Sequence, residues 1–362
     1  MRSRSDTPIR FAVVGSGWRS AFFLRVARAL PERFEVVGLV TRSADTGRAI
    51  EAEWGIPTYR DIDAVVAATR PEFAVVSVPR EAAPASVARL VEHGVPVLTE
   101  TPPGLDVAAM LPLHRLVEQG AVIQVAEQYH LSPLLNAQLS IAGSGRLGQI
   151  SQVQVAQCHD YHGVSIMRRA LGIGFEDARI TASAFESPLT RGPSRDGDPV
   201  REEVVTAHQA IAHFDFGDRL GVYDFADEQY FSWIRANRLV VRGDRGEIVD
   251  LGVRYLKDVR TPMFETITRI ETGVGGNLEG KFLRGLISGS DWVYLNPFLP
   301  ARLSDDEIAI AECLVRMHAH VAGGPPVYSL AEAAQDHYLA LLMKQAAATG
   351  EAVRSEPQPW AQ

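Results

Sequence analysis

Residues 9–20, Ile9-Arg10-Phe11-Ala12-Val13-Val14-Gly15-Ser16-Gly17-Trp18-Arg19-Ser20, constrain the fold of this chain more than any other stretch. An apolar run leads into a glycine turn and then into an amphipathic stretch, Phe22 to Leu30, so a buried strand, a tight turn and a helix follow one another. Gly15 can take the backbone angles of such a turn. Gly17 presents no side chain to an approaching group, and Ser20 is small enough to keep helix and strand close. The unpaired N–H groups of the helix N-terminus then suit an anion, and in this context the pattern predicts the pyrophosphate of a dinucleotide. Taken alone, the glycine spacing would also suit an ordinary strand-to-helix turn. Its position between an apolar and an amphipathic stretch favours the nucleotide, with Ser16, Trp18 and Arg19 flanking it.

The first 125 residues continue the same alternation. Short apolar runs at Phe11–Val14, Val36–Val40, Phe73–Val78, Val95–Leu98 and Val122–Ala126 are separated by segments with Ala, Leu, Arg and Glu at helical spacing. This predicts an α/β domain, a doubly wound parallel sheet with helices on both faces. Beyond Leu147-Gly148 the segments lengthen and alternate, at Ile150–Gln157, Val204–Phe216, Leu220–Phe225, Arg238–Arg242 and Ile248–Leu251. They predict an α+β domain with a large, mostly antiparallel sheet, crossed by a helix near Ser165–Leu171. Helical stretches at Asp305–Ala322 and Leu330–Thr349 close the chain, and Glu186–Glu203, rich in proline and charge, reads as a long loop. The expected division is 1–126 for the nucleotide domain, 127–340 for a substrate and assembly domain, and 341–362 for a helix end and tail.

Of the 362 residues 46% are hydrophobic, enough for a large core, and the net charge of −8 argues against a nucleic-acid backbone as partner. No uninterrupted apolar stretch reaches the ~18 residues a membrane span requires. The polar opening Met1 to Arg10 lacks a signal-peptide core. Cys158 and Cys313 lie far apart without metal-ligand spacing, which fits the reducing cytoplasm.

At the end of the second apolar run, where an acid commonly binds the ribose hydroxyls of NAD, stands Thr41-Arg42-Ser43. A guanidinium flanked by two hydroxyls suits a 2′-phosphate, so NADP is expected slightly ahead of NAD. Asp45 could still serve NAD, and Arg42 could be an ordinary solvated loop arginine.

Several motifs make the chain resemble the Gfo/Idh/MocA family of glucose-fructose oxidoreductases and inositol dehydrogenases. They are the glycine turn; Gly94-Val95-Pro96-Val97-Leu98-Thr99-Glu100-Thr101-Pro102 in place of "G-K-H-V-L-x-E-K-P"; Gly145-Arg146-Leu147-Gly148-Gln149-Ile150; and Gly324-Pro325-Pro326-Val327-Tyr328-Ser329-Leu330. The resemblance covers nearly the whole chain. It implies a Rossmann domain that holds NAD or NADP and a second domain that completes a sugar site, with Glu100 and Thr101 positioning the nicotinamide or substrate. Val78-Pro79-Arg80 stands in place of "T-P-N", so Val78 and Pro79 would shape the turn near the nicotinamide ribose. The family also implies a homodimer or homotetramer joined through the open face of the second domain's sheet.

The family's lysine near the nicotinamide is Thr101 here, and a hydroxyl is no acid or base near neutral pH. Its histidine matches His162, with Leu171-Gly172 following at the family's spacing, whereas its aspartate four residues earlier is Cys158. The segment Cys158-His159-Asp160-Tyr161-His162 instead packs proton carriers closely. In a helical or turned geometry His159 and His162 share a face and either could be the base, with Asp160 or Tyr161 as orienter or acid. One of the two histidines could equally cap or pack, and no set of metal ligands is evident.

For the substrate, Gln128 and His130 stand after the fifth run. Tyr230 to Arg235 mixes aromatic faces with a guanidinium, as sugar or sugar-acid sites do, or forms an aromatic strand in an interface. Three functions follow: an NAD(P)-dependent oxidoreductase of a sugar, polyol or sugar acid with His162 as proton carrier; an NAD-dependent glycosidase or lyase with tightly held cofactor and no net redox; or a non-catalytic nucleotide-binding regulator.

Overall fold

The computed structural model describes residues 7–273, 275 and 280–361. Most of the polar opening noted above, residues 1–6, lies outside the described residues. The chain forms two compact units. The first comprises Met1–Pro133, Glu271–Arg284 and Asn296–Ala334; the second comprises Leu134–Ile270, Gly285–Leu295 and Gln335–Gln362. Each unit is assembled from three separate stretches of chain, a division that the linear scheme 1–126, 127–340 and 341–362 does not express.

The first unit carries the expected parallel sheet. In chain order its elements begin β1 (Ile9–Val14), α1 (Ser20–Ala29), β2 (Phe34–Val40), α2 (Ala44–Trp54), β3 (Thr58–Tyr59), α3 (Ile62–Thr69) and β4 (Phe73–Val76). They continue with α4 (Ala83–Glu92), β5 (Val97–Thr99), α5 (Val107–Glu118) and β6 (Ile123–Val125). The six strands lie side by side in the order β3-β2-β1-β4-β5-β6, all parallel. The connections run outward from β1 on one side and from β4 on the other, so a crevice opens beyond the carboxyl ends of these two neighbours. Phe11 to Val14 and all of β4 are buried because helices cover both faces, which is why they read as unbroken apolar runs. The edge strand β3 has only two residues and carries no periodic signal, so the sequence does not announce it.

From α6 (Pro133–Gly143) the chain continues through β7 (Ile150–Ala156), α7 (Asp160–Leu171), β8 (Arg179–Thr190), β9 (Val204–Asp215), β10 (Leu220–Ala226), β11 (Arg238–Gly243) and β12 (Gly246–Val249). Next come β13 (Gly252–Asp258), β14 (Thr261–Thr266), β15 (Thr268–Thr272), β16 (Phe282–Ser288) and β17 (Asp291–Leu295). The chain closes with α8 (Asp305–Val321), α9 (Leu330–Thr349) and β18 (Val353–Arg354). Nine strands form one sheet in the order β14-β13-β12-β11-β7-β10-β9-β8-β18; its pairs are antiparallel except that β7 and β10 run parallel. This is the large antiparallel sheet expected, with four strands, β8, β13, β14 and β18, that the sequence reading did not list. A second sheet has the order β15-β16-β17.

The stretch Glu186–Glu203, read as a loop, is a loop only from Arg191 onward. Glu186 to Thr190 continue β8, with Pro188 opposite Thr206 and Thr190 opposite Val204. Proline is tolerated there because β8 borders the two-residue β18 only at Arg179 and Ile180, so Pro188 lies on a free edge where its missing N–H breaks no ladder bond.

Candidate functional site

At the glycine turn the backbone leaves no choice of residue. Gly15 has φ +115°, and a Cβ there would lie 2.0 Å from the Ser77 carbonyl oxygen. Its N–H donates to the Val40 carbonyl at 2.9 Å, tying the turn to the end of β2, and Ser16 Oγ lies 3.0 Å from Thr41 Oγ1. Gly17 differs: no atom lies within 4 Å of a Cβ built on it, so the turn is open on that side. Ser20, buried, hydrogen-bonds the Ser77 carbonyl, in keeping with its small size.

The N-cap of α1 is Arg19, whose side chain makes no capping bond; backbone carbonyls serve the first turn instead, the Ser20 N–H donating to Gly17 at 3.0 Å and the Phe22 N–H to Arg19 at 3.1 Å. A cation is unfavourable at this end of a helix dipole, and a carboxylate offsets it. Arg19 Nε lies 2.8 Å from Glu100 Oε1, with both side chains largely enclosed. Burial draws the guanidinium's pKa down, but the charge and hydrogen bond of Glu100 outweigh it and hold Arg19 above its ordinary value. Nearby on α8, burial raises the Asp306 carboxyl against the pull of Arg19, and burial pushes the Cys313 thiol well up, out of reactive range. Trp18 is exposed and meets Phe22 edge-on. Val78 packs against Gly15, Pro79 is exposed, and Thr101 is half-buried. An open Gly17, a helix N-terminus without a side-chain cap and a buried ion pair together fit the pyrophosphate of a dinucleotide.

Beyond β2, Arg42 is exposed, while Ser43 accepts the Thr46 N–H as the N-cap of α2. A residue that sequence reading missed organises this loop: Arg60 donates to the carbonyls of Thr41 and Ser43, both at 2.8 Å, and to Thr58 Oγ1 at 2.6 Å. Asp45, the alternative ribose acceptor, is paired with Arg48 on its own helix. Farther along, Gln128 is buried with Oε1 lacking a hydrogen-bond partner among the described residues, and the His130 ring lies 5.5 Å from that of Tyr328.

In the second unit the start of α7 brings the expected imidazoles together. The His159 and His162 rings are 5.0 Å apart, and Tyr161 lies 4.4 Å from His162 and 5.3 Å from His159. The Tyr161 hydroxyl is 3.3 Å from His159 Nε2. Asp160 turns the chain at this point with φ +45°, a conformation costly for a non-glycine residue. Its N–H donates to the Tyr223 hydroxyl at 2.9 Å. Its carboxylate faces Lys344 Nζ at 2.6 Å, directed to that ammonium and not to an imidazole. Tyr230 is drawn in by its hydroxyl, 2.7 Å from His159 Nδ1, while Arg235 is exposed on the loop beyond. Burial first, and then the charge of Asp160, raises the Asp227 carboxyl beside this group; burial raises the Tyr223 phenol.

Two members of this cluster come from α9 and were missed. His337, buried, places its ring 5.5 Å from Tyr161, and Lys344 follows seven residues later on the same face. The signal was the buried polar run Gln335-Asp336-His337 inside an Ala- and Leu-rich helix. Asp336 explains part of it, for it pairs with Arg168 of α7 at 2.6 Å with both side chains almost fully enclosed. Among the described residues no group of three or more His, Cys, Asp or Glu is placed to hold a metal ion. Nor is any helix among them long and apolar enough to cross a membrane.

No curated protein matches the chain in sequence. Solved structures match over nearly all of it. An oxidoreductase from Agrobacterium radiobacter in complex with NAD+, L-tartaric acid and magnesium is 15% identical, with a TM-score of 0.68, covering 96% of this chain and 98% of its own. An oxidoreductase domain protein from Kribbella flavida is 16% identical, with a TM-score of 0.70 and coverage of 96% and 99%. Levoglucosan dehydrogenase in complex with NADH and levoglucosan is 14% identical, with a TM-score of 0.69 and coverage of 97% and 100%. At these identities the likeness is one of fold. The sequence match is more specific, and it lies on the parallel-sheet region described above. Residues 9–127 match the family model GFO_IDH_MocA, described as an oxidoreductase family with an NAD-binding Rossmann fold.

Proposed function

We propose that this protein is an NAD(P)-dependent oxidoreductase that oxidises a CH–OH group of a sugar, polyol or sugar acid, with His162 as the proton carrier. The carrying observation is the convergence of His159, Tyr161 and His162 at one helix start, all with ring separations of 5.3 Å or less. When bound, the nicotinamide supplies a two-electron acceptor for hydride. This chain's part is to hold the nucleotide and take the proton. The Gly15–Ser20 turn and the start of α1 cradle the pyrophosphate, and Glu100 fixes Arg19 beside it. His162 takes the hydroxyl proton as the C–H bond gives up hydride, and Tyr161 supports it through ring contact. Gln128, His130 and Arg235 are proposed substrate contacts, Gln128 on the strength of its buried Oε1 without a hydrogen-bond partner among the described residues. The sugar class is supported by the relative crystallised with levoglucosan.

NADP is preferred over NAD in this reading, because Arg42 lies exposed at the end of β2, Arg60 adds a second guanidinium there, and Asp45 is occupied by Arg48. Thr101 in place of a lysine supports a second reading, in which the cofactor stays bound and the oxidised carbon is reduced again after a neighbouring bond is broken. The second unit's sheet presents Phe185 and Ile211 outward on one face of β8 and β9, supporting assembly as a homodimer or homotetramer, and the compartment proposed is the cytoplasm.

The test is to denature the purified protein, identify any released nucleotide by mass, and titrate the emptied protein with NAD and NADP while following tryptophan fluorescence. An empty protein that binds NADP and forms NADPH stoichiometrically with a polyol supports the dehydrogenase. Retained nucleotide whose redox state is unchanged by turnover supports the second reading, and failure to bind either nucleotide overturns both.

A further inference from the structure

A hydrogen-bonded path leads from the interior of the second unit toward its surface. It begins at Tyr161, 4% exposed, whose hydroxyl is 3.3 Å from His159 Nε2. It continues from His159 Nδ1 to the Tyr230 hydroxyl at 2.7 Å, and the backbone N–H of His159 donates to that same oxygen at 3.0 Å. Tyr230 is half-buried, and the residues after it come into solvent, Phe231 at 42% and Trp233 at 72% exposure.

The backbone N–H is a fixed donor, so one lone pair of the Tyr230 oxygen is always occupied by it. The imidazole can meet the rest of the phenol in two ways. It accepts the phenol hydrogen at Nδ1 while Nε2 donates to Tyr161, or it donates from Nδ1 while Nε2 accepts from Tyr161. The two tautomers differ by one proton moved between the Tyr161 side and the Tyr230 side, which is the property of a shuttle.

We propose that His159 shuttles protons between the buried Tyr161 hydroxyl and the half-buried Tyr230 hydroxyl, and thus between the proton carrier and water. This rests on the reading that a substrate hydroxyl loses its proton in this cluster. In the oxidising direction the Tyr161 O–H bond breaks and an Nε2–H bond forms, with the proton that His162 took from the substrate passing to Tyr161 in place of the one it gave up. The Nδ1–H bond breaks and its proton passes to the Tyr230 oxygen, while the proton that Tyr230 carried goes to water. One proton leaves, no electron moves along the path, and the half-buried ring regains its starting tautomer by exchange with water. Tyr230 is then a relay residue, not the stacking platform its sequence suggested.

Tyr230→Phe in the full chain cuts the outer link and leaves Tyr161 and His162 in place. The first readout requires no substrate: proton–nitrogen NMR of the imidazoles, with His159→Gln assigning the signals. Tyr230→Phe is expected to move the His159 Nδ1 resonance to that of a ring nitrogen facing water, and Tyr161→Phe to move Nε2 instead. Should Tyr230→Phe fail to fold, Tyr161→Phe decides alone, and unchanged His159 resonances overturn the shuttle.

The second readout is turnover with NADP or NAD and a panel of polyols and anhydro sugars. The expected result for Tyr230→Phe is a fall in kcat of about 10- to 100-fold at unchanged KM, restored by added free imidazole. A loss confined to KM, or one that imidazole does not restore, overturns the proposal. His162→Gln separates the two claims. If it turns over as fast as the unsubstituted protein, the underlying reading fails; if it is slow while Tyr230→Phe is not, that reading stands and the shuttle falls.

Discussion

The glycine turn of the first unit takes most of its chemistry from residues adjacent in sequence, Gly15 to Ser20, whereas the imidazole cluster of the second gathers His159, Tyr161 and His162 with Tyr230, His337 and Lys344 from distant elements. In the turn the backbone acts, through a positive φ, a helix N-terminus without a side-chain cap and the absence of Cβ atoms. In the cluster side chains act, and their positions depend on how α7 packs against α9 and on where the loop after β10 returns. A backbone site is therefore sensitive to a single added carbon, and a side-chain site to the packing that holds it.

The sharpest way to break this comparison is at Gly15. Gly15→Val places carbon 2.0 Å from the Ser77 carbonyl oxygen in a conformation L residues avoid, so the first unit should fail to fold, read as loss of cooperative thermal unfolding. Gly17→Ala meets no atom within 4 Å; it should melt like the unsubstituted protein yet bind nucleotide about tenfold more weakly, checked by fluorescence titration. If both variants behave alike, the turn is structural only.

On the other side, Arg168→Met takes the guanidinium away from the buried Asp336 carboxylate between α7 and α9, a loss of about 3–5 kcal/mol by urea denaturation. His162→Gln should leave stability and nucleotide affinity alone and slow turnover by about 10²- to 10⁴-fold. Smaller is the effect of Arg42→Ala, about tenfold weaker binding of NADP with NAD unchanged, measured by paired titrations.

The smallest effect lies outside both regions, where Arg89 and then His93 hold Asp63 down to about 2. A carboxyl whose pKa is lowered on folding contributes stability above its unfolded value of 3.8, and that contribution is lost as the pH falls toward about 2. Asp63→Asn should flatten the melting temperature over that window. Because the Asp63 side chain is exposed, the change should be slight and should shrink further in salt.

Much of the fold is legible in the order of residues alone. Four consecutive buried residues in β4 announce a strand covered on both faces, and α9 spans the very residues its spacing predicts, Leu330–Thr349. The two-residue β3 and the short β13 to β17 are not legible, because their pairing partners rather than their own periodicity make them strands. Within the candidate site, the spacing of His159 and His162 on one turn anticipates their 5.0 Å approach. Nothing local to Tyr230 announces that its hydroxyl binds His159, 71 residues earlier. Arg60 is similar: it straps Thr41 and Ser43 only because β3 pairs beside β2.

By itself the sequence determined the glycine turn, the alternating strands and helices of the Rossmann fold, and the crowding of proton carriers at 158–162. These depend on dihedral preference, periodicity and contacts within one helical turn, all set by near neighbours. Only the tertiary structure decided that Lys344 faces Asp160, that His337 lies beside Tyr161, and that Arg19 is held by Glu100. The nearest of these partners in sequence, Arg19 and Glu100, stand 81 positions apart, and Lys344 and His337 reach α7 together from one helix. Such contacts follow from packing, where a long-range approach is fixed by the burial of whole elements and not by any feature of the two residues that meet.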